Sequence, residues 1–85
     1  MRHLEREMRG IPYFLIREYL LEMGGEDTSD GQIVGHGWRA TLTKMEPYRL
    51  FSITVGQNRL VLDLEDEIAD AWLHRFEMKT MRAGA

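Results

Sequence analysis

The chain has 85 residues, no cysteine and a formal net charge of −3. So short a chain makes one domain with one small core, spanning 1–85. Near-balanced charge leaves no cationic surplus for general nucleic-acid binding, and the missing cysteines exclude disulfides, thiolate metal sites and cysteine nucleophiles.

The opening Met1-Arg2-His3-Leu4-Glu5-Arg6-Glu7 is too charged for a signal peptide. No apolar run approaches the roughly 18 residues of a membrane span. A cytoplasmic protein with no membrane partner is the expectation.

Leu4 to Met8 alternates, with Leu4 and Met8 on one side, Glu5 and Glu7 on the other, and Arg6 discordant on the apolar side. This predicts a short strand; the good helix formers in the same stretch make a helix the competing reading. From Pro12 to Met23, Leu15, Ile16, Tyr19, Leu20 and Met23 recur at helical spacing with Arg17, Glu18 and Glu22 opposite, which predicts an amphipathic helix. Pro12 suits the first turn and Gly24 the left-handed residue that ends it. Glu26 to Gly31 reads as a polar loop.

Ile33 and Val34 begin a strand, and Gly35-His36-Gly37 turns the chain into Trp38 to Met45. Two further turns are expected, at Glu46-Pro47 and at Gly56-Gln57. That register sets Leu42 opposite Phe51, Ala40 opposite Ile53, Ile53 opposite Leu60 and Phe51 opposite Leu62. Trp38, Ala40, Leu42, Phe51, Ile53, Val55, Leu60, Leu62 and Leu64 then share a core face. The last element is a helix: Glu65, Asp66 and Glu67 load its start, Lys79 and Arg82 its end, and Ile68, Ala69, Trp72, Leu73 and Phe76 form its apolar stripe.

The order is strand, helix, four antiparallel strands, helix, an α+β arrangement in which two helices cover one sheet face only. The other face is where a partner or ligand should be sought. The expected register puts Arg39, Thr54 and Arg59 in one row, Thr41, Ser52 and Val61 in the next, and Thr43, Leu50 and Asp63 in the last. Arg39, Thr41, Thr54, Arg59 and Asp63 are therefore the candidate contact residues. Two guanidiniums in a row could clamp an anion; the plainer reading is a solvated face whose arginines pair with Glu5 or Glu7. A mixture of donors, aliphatics and both charges suits self-complementary protein contact, so a homo-oligomer is expected.

Nothing in the chain forms a catalytic or cofactor constellation. His3, His36 and His74 have no second ligand at metal-motif spacing. Glu65, Asp66, Glu67 and Asp70 are explained by the helix start. Gly24-Gly25 follows a helix, away from any phosphate-loop context, and no Gly-x-Ser-x-Gly motif occurs. No enzyme, cofactor or metal is expected.

Pro12-Tyr13-Phe14-Leu15, Arg17 through Gly25, Glu46-Pro47, Ser52-Ile53 and Ala71-Trp72-Leu73-His74-Arg75 resemble a small domain of unknown function. That domain lies C-terminal to the ubiquitin-like part of proteins related to MoaD, the small sulfur-carrier subunit of molybdopterin synthase. The resemblance implies a TBP-like single repeat, both helices on one face of the sheet. It also implies an accessory role beside a ubiquitin-like sulfur carrier or in the molybdenum-cofactor pathway. Such carriers act through a C-terminal Gly-Gly, whereas this chain ends Arg82-Ala83-Gly84-Ala85, so it is not expected to carry sulfur itself. The alternatives are a small anionic-ligand site, on the arginine row or in a helix–sheet groove near Trp38, Tyr19 and Trp72, and, by fold analogy alone, nucleic-acid binding, which the net charge disfavours.

Overall fold

A computed structural model describes residues 1–81. The element order is β1 (Arg2–Arg9), α1 (Tyr13–Glu22), β2 (Glu26–Ser29), β3 (Gln32–Gly35), β4 (Trp38–Leu50), β5 (Ile53–Leu64) and α2 (Asp66–Met81). The strands form one antiparallel sheet in the order β1-β5-β4-β3-β2. Arg82, and with it the ending Arg82-Ala83-Gly84-Ala85, lies outside the described residues.

One face carries the core. Ile33, Trp38, Ala40, Leu42, Leu60, Leu62 and Leu64 from the sheet are buried against Ile16 and Leu20 of α1 and Ala69, Trp72 and Phe76 of α2. Trp72 is the hinge of this packing, its ring centroid 5.1 Å from that of Trp38 and 5.3 Å from that of Phe76. The Trp38–Trp72 contact thus takes up space where a groove was expected, while a cavity of about 270 Å³ remains beside Trp38, lined among others by Val34 and Glu65.

Helix α1 starts at Pro12, whose missing donor costs nothing there. It ends in a Schellman pair: Gly25 N donates to Leu20 O at 3.1 Å and Gly24 N to Leu21 O at 3.0 Å, with Gly24 at φ +95°. Arg6 lies on the helix-covered side of β1 because it pairs with Glu77 of α2 at 3.2 Å. Arg2, on the same side, holds Asp70 at 2.8 Å. The strand thus grips α2 at two points either side of Leu4. Lys79 joins the helices through Glu22 at 3.1 Å.

Three expectations about the strands are corrected. The polar stretch Glu26 to Gly31 is no loop: β2 and β3 make a hairpin closed by Asp30-Gly31, with Gly31 at φ +74°. Asp-Gly is a strong turn signal that the polarity of the segment masked. The expected turn at Glu46-Pro47 is a bulge inside β4, where the register steps from Met45 opposite Gln57 to Tyr48 opposite Val55. Proline is tolerated there because a bulge leaves a residue without ladder bonds. Finally, β5 runs straight through Gly56-Gln57; Gly56 lacks the positive φ that a Gly-X turn requires.

The chain reverses instead at Phe51-Ser52, between paired Leu50 and Ile53. Four strands still separate the helices, because a missed hairpin and an imagined break cancel. The core assignment of Phe51, Ile53 and Val55 does not survive: Phe51 and Ile53 are exposed and Val55 is half-buried.

Candidate functional site: the open face and its protruding ribbon

The face away from the helices divides into two parts. The first lies over the sheet, where register builds rows of polar side chains. His3, Asp63, Arg39 and Val34 stand in one row, Glu5, Val61, Thr41 and Gln32 in the next, and Glu7, Arg59 and Thr43 in the third. Only the Thr41–Val61 neighbourhood matches the expected rows. Arg39 faces Asp63, and Arg59 lies between Glu7 and Thr43.

Asp63 and Arg59 are four positions apart along β5, about 13 Å. Arg39 and Arg59 therefore stand in different rows and do not converge on one anion. Thr54 belongs elsewhere: it pairs with Arg49 beyond the bulge. Because β5 is continuous, its alternation places Thr54 with Leu60 and Leu62, on the opposite side from Arg59. A supposed turn at Gly56-Gln57 had inverted that phase.

His3 Nδ1 lies 2.7 Å from Asp63 Oδ1 on this face. The hydrogen bond to Asp63 raises the imidazole pKa above its usual value; solvent loss opposes this in part, and the charges of Asp63 and Glu5 add smaller support. Asp63 favours the imidazolium, so the pair's contribution to stability is complete below about pH 6.5 and fades as pH rises through the raised folded value. A proton NMR titration should give His3 a midpoint above the usual imidazole value, and Asp63→Asn should bring it down. An unmoved midpoint in that variant removes the pair.

The second part begins at the bulge, where β4 and β5 leave their neighbours and continue as a two-stranded ribbon. Overall extents of 43 × 25 × 21 Å reflect this projection. Its base is braced: Gln57 Nε2 donates to the Glu46 carbonyl at 3.1 Å, Arg9 Nε donates to Gln57 Oε1 at 3.0 Å, and the Arg9 guanidinium lies 4.4 Å above the Tyr48 ring. The bulge also resets the phase of β4. Tyr48 and Leu50 now share the open side with Val55 and Ile53, their cross-strand partners.

The open face therefore changes from polar to apolar along its length. Tyr48 is 38% exposed, Leu50 49%, Ile53 62% and Phe51, at the tip, 98%. Phe51 holds φ +57°. That conformation, at the first turn position, suits glycine and strains a bulky side chain.

A cleft of about 690 Å³ lies at the ribbon's base, lined among others by Ile11, Tyr13, Phe14, Met45 and Val55. Asn58, buried at its edge, donates Nδ2 to the Ile11 carbonyl at 2.9 Å and so ties the β1–α1 connection to β5. Among the described residues no three His, Asp or Glu side chains gather as a metal site. No helix there is long and apolar enough to cross a membrane. Sequence reasoning missed the ribbon, although Tyr48-Arg49-Leu50 and Ile53-Thr54-Val55, two apolar–polar–apolar triplets around a two-residue turn, were its signal.

The sequence matches the family described as archaeal MoaD-like protein over residues 4–85, nearly its whole length. No curated protein matches it.

Proposed function

The chain belongs to the archaeal MoaD-like protein family, and on that premise we propose that it is a non-catalytic, cytoplasmic interaction module that associates with itself and serves a MoaD-like sulfur carrier or the molybdenum-cofactor pathway. The observation that carries this reading is the open sheet face, which both helices leave bare and which runs into an exposed apolar ribbon. Exposed apolar patches on a small chain are interaction surfaces more often than ornaments. Family membership supports the pathway; the ubiquitin-like carrier is the partner that the resemblance brings.

On the polar rows Asp63 is taken by His3 at 2.7 Å and Glu7 lies 3.9 Å from Arg9, while Arg39 and Arg59 stand in separate rows. This favours protein contact over capture of a free anion, because guanidiniums held in different rows cannot both grip one small anion. Light scattering over a rising concentration series, with capture of a MoaD-like carrier assayed in parallel, tests the reading. Growth of a dimer or retention of the carrier is the expected result. A monomer throughout that retains no carrier ends it.

A further inference from the structure

We propose that the β4–β5 ribbon is a homodimer contact, its apolar side packing face to face on the same side of a second copy. The proposal rests on the self-association read above and gives it a surface. Tyr48 with Val55, and Leu50 with Ile53, are two successive cross-strand pairs on one side of the ribbon. An isologous interface needs one patch that is its own complement, and a short two-row stripe of Tyr48, Leu50, Ile53 and Val55, with Arg9 only at its base, meets that need. Laid antiparallel about a two-fold axis, each row covers the other copy's alternate row, and each Phe51 reaches the base of the opposite ribbon.

Area agrees. Tyr48, Leu50, Phe51 and Ile53 together expose on the order of 500 Å² per chain, given their fractional exposures and the size of such side chains. Two copies reach the roughly 1,000 Å² at which specific interfaces begin. The mode of contact is also constrained. The bulge and Pro47 interrupt the free edge of β4 and so obstruct strand addition there, and the free stretch of β5, Ile53 to Gly56, is only four residues long. The polar rows of the open face offer a copy less, since burying their charged side chains costs desolvation that the apolar ribbon does not incur.

Phe51 adds an independent indication. It is almost wholly exposed and sits at φ +57°, where glycine would be less strained. Folding gains little from such a residue, so its gain must come from contact.

The full chain is compared with Leu50→Glu/Ile53→Glu, Phe51→Gly and Arg39→Glu/Arg59→Glu by light scattering and thermal melting. The wild type is expected to dimerise. The Leu50/Ile53 double variant should be monomeric over the same range and should still unfold cooperatively, close to the melting temperature of the wild type diluted to a monomer, because both side chains are exposed. Phe51→Gly should weaken the dimer by about tenfold or more while the dilute monomer melts no earlier than the dilute wild type. The arginine variant should remain dimeric.

A dimer that survives both ribbon variants overturns the proposal but leaves self-association standing. Loss of the dimer in the arginine variant alone moves the contact to the polar rows and has the same effect. A wild type that stays monomeric overturns the proposal together with self-association. If that monomer still retains a carrier, and loses it on Leu50→Glu/Ile53→Glu, the ribbon belongs to the carrier instead.

Discussion

Trp72→Ala should lower the unfolding free energy by about 3–5 kcal/mol, the range seen when a large buried aromatic is truncated. Trp72 sits between Trp38 and Phe76, tilted 54° to the first and stacked at 17° on the second. Its removal opens a cavity where the sheet, through Trp38, meets α2. Trp38 comes from β4 and cannot follow the retreat, because it is paired with both Gly35 and Leu64. A domain of this size holds roughly 4–12 kcal/mol in all, so the variant should lose from about a quarter to all of its stability. Urea titration followed by far-ultraviolet circular dichroism measures the loss. Trp72→Phe, which keeps a ring between the neighbours, should recover most of it. A loss below about 1 kcal/mol for Trp72→Ala would show that the aromatic cluster is peripheral to stability.

Gly35→Ala should rank next, at about 3 kcal/mol, the upper end of the usual cost of overpacking. A methyl group at Gly35 would overlap the Trp38 indole, which lies across the glycine. The indole is rigid and 94% buried by its neighbours, being only 6% exposed, so it has no room to swing. The strain must spread to the His36-Gly37 turn or to the Trp72 contact. Gly56→Ala is the control: a methyl there meets nothing within 4 Å, and its φ is not positive. Equal melting temperatures for the two variants would show that Trp38 yields to an added methyl group without cost.

Much of the fold could be read in advance where a segment carried its own periodicity. Leu15, Ile16, Leu20 and Met23 marked the buried side of α1, and Ala69, Trp72 and Phe76 that of α2, because a helix shows its pattern over three or more turns. Trp38, Ala40 and Leu42 likewise marked the inner side of β4. Strand phase was legible only as far as the next irregularity. Glu46-Pro47 can be a turn or a bulge on local grounds, and Gly56-Gln57 can be a turn or plain strand; the choice is made by what pairs across.

Reading both as turns put Phe51 and Ile53 in the core and Thr54 beside Arg39. In the fold, pairing of Arg2–Arg9 with Gln57–Leu64 holds β5 straight and carries Phe51 and Ile53 outward. The candidate site suffered most from this. Arg39, Thr41, Arg59 and Asp63 were rightly placed on the open side, since their stretch precedes or follows the irregularities, but their neighbours were not. The apolar ribbon was hidden for the same reason: its residues look like core until the bulge is known.

The sheet order β1-β5-β4-β3-β2 has a consequence for how the chain assembles in time. The first strand to be synthesised has one neighbour, and that neighbour is the last strand. Until β5 exists, β1 and its Arg2 and Arg6 have no sheet to join and no α2 to grip. The hairpins from β2 to β5 form from contacts close in sequence, whereas placing β1 closes a loop of roughly fifty residues, a slow event. Assembly therefore ends at the N-terminus, with β1 laid along β5.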